Sequence, residues 1–275
     1  ERGLIRYLMR HRHTTPFEMV EFKFHCKMPI FVARQWVRHR TANINEYSLR
    51  YSEARDEFYY PDPDNIEFQS ALNKQGRMGE VDPELKEKVQ KYFKEISERS
   101  FAIYSELNDA GVARELARAI LPVNLYTEWY WKNDLHNLLH FIGLRSDGHA
   151  QYEIRVFSDA MASFVKNVAP FAWEAYQDYV VKGMRFSKIE QSLLEKNLPD
   201  RVIDDIQEDL AYQLTASLHI NKPRSDEDLF PLYKDQGGTD SKEDFNLKWT
   251  SGEIDAGNVR ELREFKSKIE TLRQS

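Results

Sequence analysis

A fourteen-residue stretch, residues 38–51, constrains this chain more than any other part of its sequence. It reads Arg-His-Arg-Thr-Ala-Asn-Ile-Asn-Glu-Tyr-Ser-Leu-Arg-Tyr and directly follows an apolar run. Guanidinium groups match phosphate and carboxylate geometry, and Asn45, Glu46 and Ser48 offer the donors and acceptors that a nucleobase edge requires. The stretch therefore favours a site for a phosphorylated ligand that carries a base. The alternative is a solvated helix end in which Glu46 and Arg50 form an i,i+4 pair.

The order of residues in this stretch separates the two interpretations. It resembles the signature of the flavin-dependent thymidylate synthases, Arg-His-Arg-x-x-Ser-x-Asn-Glu-x-Ser-x-Arg-Tyr, and departs from it at one specified position, where Asn43 replaces Ser. The resemblance continues in residues 11–18, 31–36 and 144–151, so that it covers roughly residues 1–180.

The resemblance implies a fold, a reaction and an assembly. The fold class is α+β, a mixed sheet with long helices over residues 1–182, followed by an acidic, mostly helical extension over residues 183–275. The reaction is reductive methylation of dUMP to dTMP, with methylenetetrahydrofolate as carbon donor, NADPH as reductant and FAD as redox relay. FAD is expected between the subunits of a homotetramer. Family members usually carry a further N-terminal segment, which is not part of this sequence.

The resemblance also assigns residues. Arg145 matches the arginine credited with ionising N3 of the pyrimidine, which makes carbon C5 nucleophilic. The nucleotide-binding positions are Gln35, Arg38, Glu46, Tyr47, Ser48, Leu49, Arg50, Arg118 and Arg145. The flavin-binding positions are Thr15, Arg38, His39, Arg40, Asn45, Glu46, Asp134, His136 and His140. His13 is expected near the entrance for folate. Some family members have Asn, Arg and Asn where this chain has Asp134, His136 and His140.

The single cysteine bears on the mechanism. Around Cys26 the apolar residues Phe22, Phe24 and Met28 alternate with charged ones, which predicts a strand with Cys26 on its buried face. A buried thiol cannot attack uracil, so the chemistry must proceed without a cysteine nucleophile. One cysteine also forms no intrachain disulfide, which suits a reducing cytoplasm.

Two other classes of function remain open from the sequence. His136 and His140 lie one helical turn apart, and with His149 and Glu153 they could ligate a metal in a helical metalloenzyme, although no His-Glu-x-x-His motif occurs. Alternatively, the chain could be a catalytically silent module that binds nucleotide or flavin, for which Asn43 is the only hint. Ser48 has no adjacent histidine base in the motif and is interpreted as a hydrogen-bond donor to substrate.

Charge and hydropathy exclude other partners. Residues 201–244 hold eleven acidic and five basic residues, a difference of −6 that equals the net charge of the whole chain, so the remainder is balanced. A polynucleotide would call for a broad basic face, and a membrane span for about eighteen consecutive apolar residues. We expect no nucleic-acid or membrane partner, and a cytoplasmic protein.

Periodicity and turn residues predict the order of the elements. A polar residue before Pro16 predicts a helix start, and an amphipathic helix from Pro29 should end in the cations at positions 38–40. Residues 62–84 show no periodicity and are interpreted as a surface insertion without a role in function. The remaining predictions are helices over residues 2–12, 83–108 and 112–120, a strand over residues 124–131, and a helix from Asp134.

Overall fold

The computed structural model describes residues 1–70 and 76–197, in two compact units. The larger unit is His13–Pro170, and the other combines Glu1–Arg12 with residues 171–197. The larger unit mixes helices with a sheet, which confirms the α+β prediction.

The larger unit contains six α-helices in its described residues. They are α2 (Thr15–Glu18), α3 (Ile30–Trp36), α4 (Pro83–Asp109), α5 (Arg114–Ala117), α6 (Leu135–Arg145) and α7 (Tyr152–Val168), with short 3-10 turns at Pro63–Asn65 and Arg118–Ile120. Three helices start as the sequence chemistry requires. Pro16 and Pro83 occupy first-turn positions, and Asp82 and Asp134 accept hydrogen bonds from the first turns of α4 and α6.

A three-stranded antiparallel sheet lies at the centre of this unit. Its strands are β1 (Glu21–Pro29), β2 (Asn43–Glu46) and β5 (Tyr126–Asp134), in the order β1-β5-β2. Side chains alternate between its faces, so Trp129 and Trp131 of β5 are buried together with Cys26 of β1. Trp36 of α3 packs edge-to-face on both tryptophans, with ring centroids 5.5 and 5.2 Å away. This aromatic cluster fixes α3 on the sheet.

The structure extends or corrects several sequence predictions. β5 continues three residues beyond the predicted end, to Asp134. α3 ends at Trp36, so Arg38–Arg40 occupy the turn after the helix rather than its last turn. The surface insertion contains a hairpin, β3 (Glu67–Gln69) with β4 (Arg77–Glu80). Its Arg77 bonds the buried Glu153 of α7, so part of the insertion belongs to the packed unit.

The part of the smaller unit that the structure describes is helical. It comprises α1 (Arg2–Arg10), most of α8 (Pro170–Tyr176), a π-helical turn (Gln177–Val181) and α9 (Lys188–Asn197). Buried Arg6 of α1 pairs with Glu174 and Asp178. The predicted extension from residue 183 is described as far as residue 197, and the rest of it lies outside the described residues. Within the described ranges, no helix has the length and apolar character to cross a membrane.

Candidate active site

A cation-rich cavity of about 360 Å³ opens where the turn after α3 meets the C-terminal half of α6. Both elements pack on the sheet, so the core positions the cavity walls. The lining residues are Arg38, His39, Arg40, Thr41, Asn133, Asn137, His140, Leu144 and Arg145. They include three arginines and no acidic residue, which is a wall suited to an anion. Five of them were predicted from the sequence as ligand-binding residues.

Arg145 is the last residue of α6 and is half-buried in the cavity wall. Its Nε donates a hydrogen bond to Nε2 of His39 at 3.0 Å. A purely structural arginine would instead brace Asp147 or Glu153, but those carboxylates are occupied by His149 and by Arg77 respectively. Burial lowers the pKa of the Arg145 guanidinium, which nevertheless stays charged at neutral pH.

His39 is held as a neutral ring. Its own burial, followed by the charges of Arg145 and His140, lowers the pKa of His39 to about 4. The ring packs edge-to-face on Phe141, with centroids 4.9 Å apart. Because a guanidinium can only donate, Nε2 of His39 must be the acceptor and its proton must reside on Nδ1.

Arg38 and Arg40 add unneutralised positive charge. Both are exposed in the turn after α3, and within the described parts of the chain neither forms an ion pair with a carboxylate. Two exposed guanidinium groups beside a half-buried third one repel each other unless an anion lies between them. The cavity is therefore organised for a ligand that carries negative charge.

The signature stretch forms β2 and the turn that follows it. Thr127 Oγ1 donates to Glu46 Oε1 at 2.6 Å, and Arg50 pairs with Glu115 at 3.1 Å. The alternative of a helical Glu46–Arg50 pair is therefore wrong. The Ser48 hydroxyl lies 3.4 Å from the Arg50 backbone N–H, in the turn itself.

Within one subunit, the strand register separates this turn from the cavity. Asn43 lies opposite Lys132 and Glu46 opposite Trp129, so β2 runs away from the end of β5 that carries the cavity residue Asn133. Three residues of strand span about 10 Å, and Ser48 and Arg50 come after them. Ser48, Arg50 and Glu115 form a second cluster, apart from the cavity, and Arg118 lies three residues after Glu115 in the chain.

The other predicted residues lie around these two clusters. Gln35 of α3 donates to Gln151, the residue before α7, and Leu49 packs on an apolar cluster that contains Phe58 and Tyr104. Asp134 caps α6 by accepting from the backbone and side-chain nitrogens of Asn137 at 2.9 and 2.8 Å. The remainder do not line the cavity: exposed His13, Thr15, Asn45 and Tyr47, and half-buried His136.

Sequence reasoning missed four cavity residues, Thr41, Asn133, Asn137 and Leu144. Asn133 is 3% exposed, and within the described structure its Oδ1 has no hydrogen-bond partner. The alternation of β5 could have indicated it, because Asn133 follows Trp129 and Trp131 at a spacing of two on the buried face. An unsatisfied buried amide oxygen at a cavity wall is costly unless a ligand or water donates to it.

The geometry also bears on the alternative chemistries. Cys26 is 6% exposed, and burial raises the pKa of its thiol to about 12, so the buried position predicted for it is confirmed. Glu153 is bound by Arg77 and Tyr59, and His149 pairs with Asp147, so neither is free to join His136 and His140 around a metal.

Residues 1–171 match the family described as thymidylate synthase complementing protein. The flavin-dependent thymidylate synthase of Rickettsia conorii is 53% identical over 201 residues, covering 68% of this chain and 68% of the relative. The enzyme of the same name from Dictyostelium discoideum is 47% identical over 199 residues, covering 72% of this chain and 65% of its own length.

A solved structure supports the same relationship. The UMP/dUMP methylase PolB of Streptomyces cacaoi, bound with 5-Br UMP, superposes with a TM-score of 0.61 at 36% sequence identity. The alignment covers 64% of this chain and 82% of that one. Fold and sequence therefore point to one family.

Proposed function

The chain belongs to the flavin-dependent thymidylate synthase family, and from that membership we propose that it methylates dUMP reductively to dTMP. Methylenetetrahydrofolate is the carbon donor and NADPH the reductant. The observation that carries the proposal is Arg145, a half-buried guanidinium in a cavity without acidic residues, held by the neutral His39.

Arg145 is the residue that activates the pyrimidine. A guanidinium beside the N3, O2 and O4 edge favours loss of the N3 proton through charge and hydrogen bonding. The negative charge delocalises onto C5, which becomes nucleophilic toward the one-carbon unit. No cysteine needs to attack the ring, in agreement with the buried and protonated Cys26.

The nucleotide site requires both clusters of the larger unit. We assign it to Gln35, Arg38, Glu46, Tyr47, Ser48, Leu49, Arg50, Arg118 and Arg145. Because the register places the Ser48 turn away from the cavity within one subunit, a neighbouring copy has to supply one of the two clusters. This geometry supports sites between subunits, and membership of the family supports a homotetramer as the assembly.

The residues present fit a flavin dinucleotide. Arg38 and Arg40 suit its pyrophosphate, and the buried Asn133 Oδ1, which has no hydrogen-bond partner within the described residues, can accept a hydrogen bond from it. We assign flavin contacts to Thr15, Arg38, His39, Arg40, Asn45, Glu46, Asp134, His136 and His140, with His13 near the folate entrance. FAD, when bound, carries the hydride from NADPH toward the one-carbon unit. The chain's own part is to orient the ring systems and to supply fixed positive charge.

The experiment that tests the proposal reconstitutes the reaction and omits each component in turn. Purified protein, stripped of bound flavin, is incubated with dUMP, methylenetetrahydrofolate, NADPH and FAD, and dTMP is measured directly. We expect product only when all four components are present, and no effect of a metal chelator. Binding of dUMP or FAD without product would instead favour a catalytically silent binding module, and product that disappears with the chelator would favour a metalloenzyme.

A single unpaired cysteine is consistent with the cytoplasm as the compartment.

A further inference from the structure

We propose that His39 is a positioning residue that fixes which edge of the Arg145 guanidinium faces the pyrimidine. The inference rests on the proposed function of Arg145 and gives His39 a task distinct from contact with the flavin. It is carried by the hydrogen bond from Arg145 Nε to His39 Nε2, at 3.0 Å.

A guanidinium offers two edges for bidentate contacts. One presents Nε with one Nη group, and the other presents the two Nη groups. His39 occupies Nε, so the edge with both Nη groups remains for a ligand. In the part of the chain that the structure describes, no carboxylate pairs with Arg145, so the Nη edge is not neutralised.

Three contacts hold His39, and with it the acceptor atom Nε2, in place. Its backbone N–H donates to the carbonyl oxygen of the fully buried Trp36 at 2.9 Å, which ties the turn to the core. Its ring packs on Phe141 of α6 and meets His140 edge-on, with centroids 6.1 Å apart. A rigid acceptor restricts the rotamers of a long side chain, which is how supporting residues pre-organise a catalytic group.

The hydrogen bond from Arg145 also requires that the His39 ring is neutral. A protonated imidazole would present a donor to a donor, and the hydrogen bond to Arg145 would be lost. Burial, the positive charge of Arg145 and the nearby His140 lower the pKa of His39, so Nε2 stays an acceptor at neutral pH.

A matched pair of variants separates the hydrogen bond from the shape of the ring. His39→Phe keeps the edge-to-face contact with Phe141 and removes the acceptor, whereas His39→Gln loses the ring and returns an acceptor oxygen near the position of Nε2. Each is made alone and in the Arg145→Lys background, and turnover is measured at saturating FAD. Ionisation of bound dUMP is followed by ultraviolet difference spectra across the alkaline range, a measurement that needs no turnover.

We expect His39→Phe to lower dTMP formation by about ten- to a hundredfold, the range for one hydrogen bond to a charged group. It should also raise the pH at which bound dUMP ionises. His39→Gln should recover most of both losses. In the Arg145→Lys background, His39→Phe should change neither dTMP formation nor the pH at which bound dUMP ionises, because its effect passes through Arg145.

Other outcomes overturn the inference. Near-wild-type activity in His39→Phe together with loss in His39→Gln would mean that the ring, and not the acceptor, matters, and equal loss in both variants would mean that restoring an acceptor is not sufficient. Additive losses in the double variant would mean that His39 acts independently of Arg145. These results presuppose an active wild-type protein, so they are distinguishable from failure of the proposed function, in which the wild type itself forms no dTMP.

Discussion

Two arginines of the larger unit, Arg77 and Arg145, are held in opposite ways. Arg77 donates to both carboxylate oxygens of Glu153 at 2.7 Å, and Glu153 is only 5% exposed. Arg145 donates to a neutral histidine and, in the described ranges, has no carboxylate partner. A charge neutralised inside the fold stabilises the fold, whereas a charge held by a neutral partner is available to a ligand.

The cavities beside these arginines differ in the same sense. The cavity at Arg77 is larger, about 710 Å³, and is lined mostly by apolar side chains such as Phe31, Phe93 and Ile96. Burial alone would raise the pKa of Glu153, but hydrogen bonds from Arg77 and Tyr59 hold the pKa below its ordinary value. The smaller cavity at Arg145 keeps surplus positive charge. Charge balance, not volume, identifies the candidate site.

The largest expected effect comes from breaking the neutralised pair. Arg77→Met leaves Glu153 buried without its counter-ion, and we expect the free energy of unfolding to fall by about 3 kcal/mol, the lower end for a broken buried pair. The matched control is Arg50→Met, which removes the exposed pair with Glu115 and should cost less than about 1 kcal/mol. Chemical denaturation of both variants measures the difference.

The pH dependence sharpens this prediction. In Arg77→Met the pKa of Glu153 should rise above its unfolded value, so the destabilisation is present at neutral pH and shrinks as the carboxylate takes up a proton on acidification. A loss independent of pH would show that Arg77 contributes through packing rather than charge.

Removing one of the unpaired cations should weaken ligand binding without destabilising the fold. Arg40 lies exposed in the cavity turn, and Arg40→Ala should lower FAD affinity by roughly ten- to a hundredfold while the protein stays folded. The control is Arg99→Ala, on the exposed face of α4. Flavin absorbance after gel filtration reports occupancy. Unchanged occupancy in Arg40→Ala would remove this arginine from the flavin site.

Acidification should destabilise the folded protein through His39. Because the pKa of His39 is about 4 in the folded state and near 6.5 when unfolded, protons favour the unfolded chain. Its contribution to stability is complete above about pH 6.5 and is lost progressively toward pH 4. The free energy of unfolding should therefore fall more between these pH values in the wild type than in His39→Gln. Parallel pH profiles of the wild type and His39→Gln would contradict a neutral, half-buried His39 ring.

Local patterns predicted much of this fold, and tertiary pairing accounts for what they missed. Alternation around Cys26 and the aspartate before α6 specify a strand and a helix start within a few residues. The separation of the Ser48 turn from Arg145 depends on strand register, which no local pattern encodes. Arg77 and Glu153 are 76 residues apart, so their pairing could not be predicted from spacing, and the insertion looked dispensable.

The smallest effect is expected at the cysteine. Cys26→Ala removes one small buried group on the sheet, which should cost about 1 kcal/mol of stability and leave the rate of dTMP formation unchanged. Turnover assays at a temperature where both proteins are folded measure this. Loss of product specifically in this variant would disprove a mechanism without a cysteine nucleophile.

Formation of dTMP by Arg145→Lys, compared with the wild type, tests the central claim most directly. Lysine keeps the charge but loses the planar fork and the Nε donor to His39. We expect dTMP formation to fall by roughly one to three orders of magnitude, the range for one oriented electrostatic donor, while NADPH still reduces the flavin. Wild-type rates of dTMP formation in Arg145→Lys would contradict the claim that this guanidinium activates the pyrimidine.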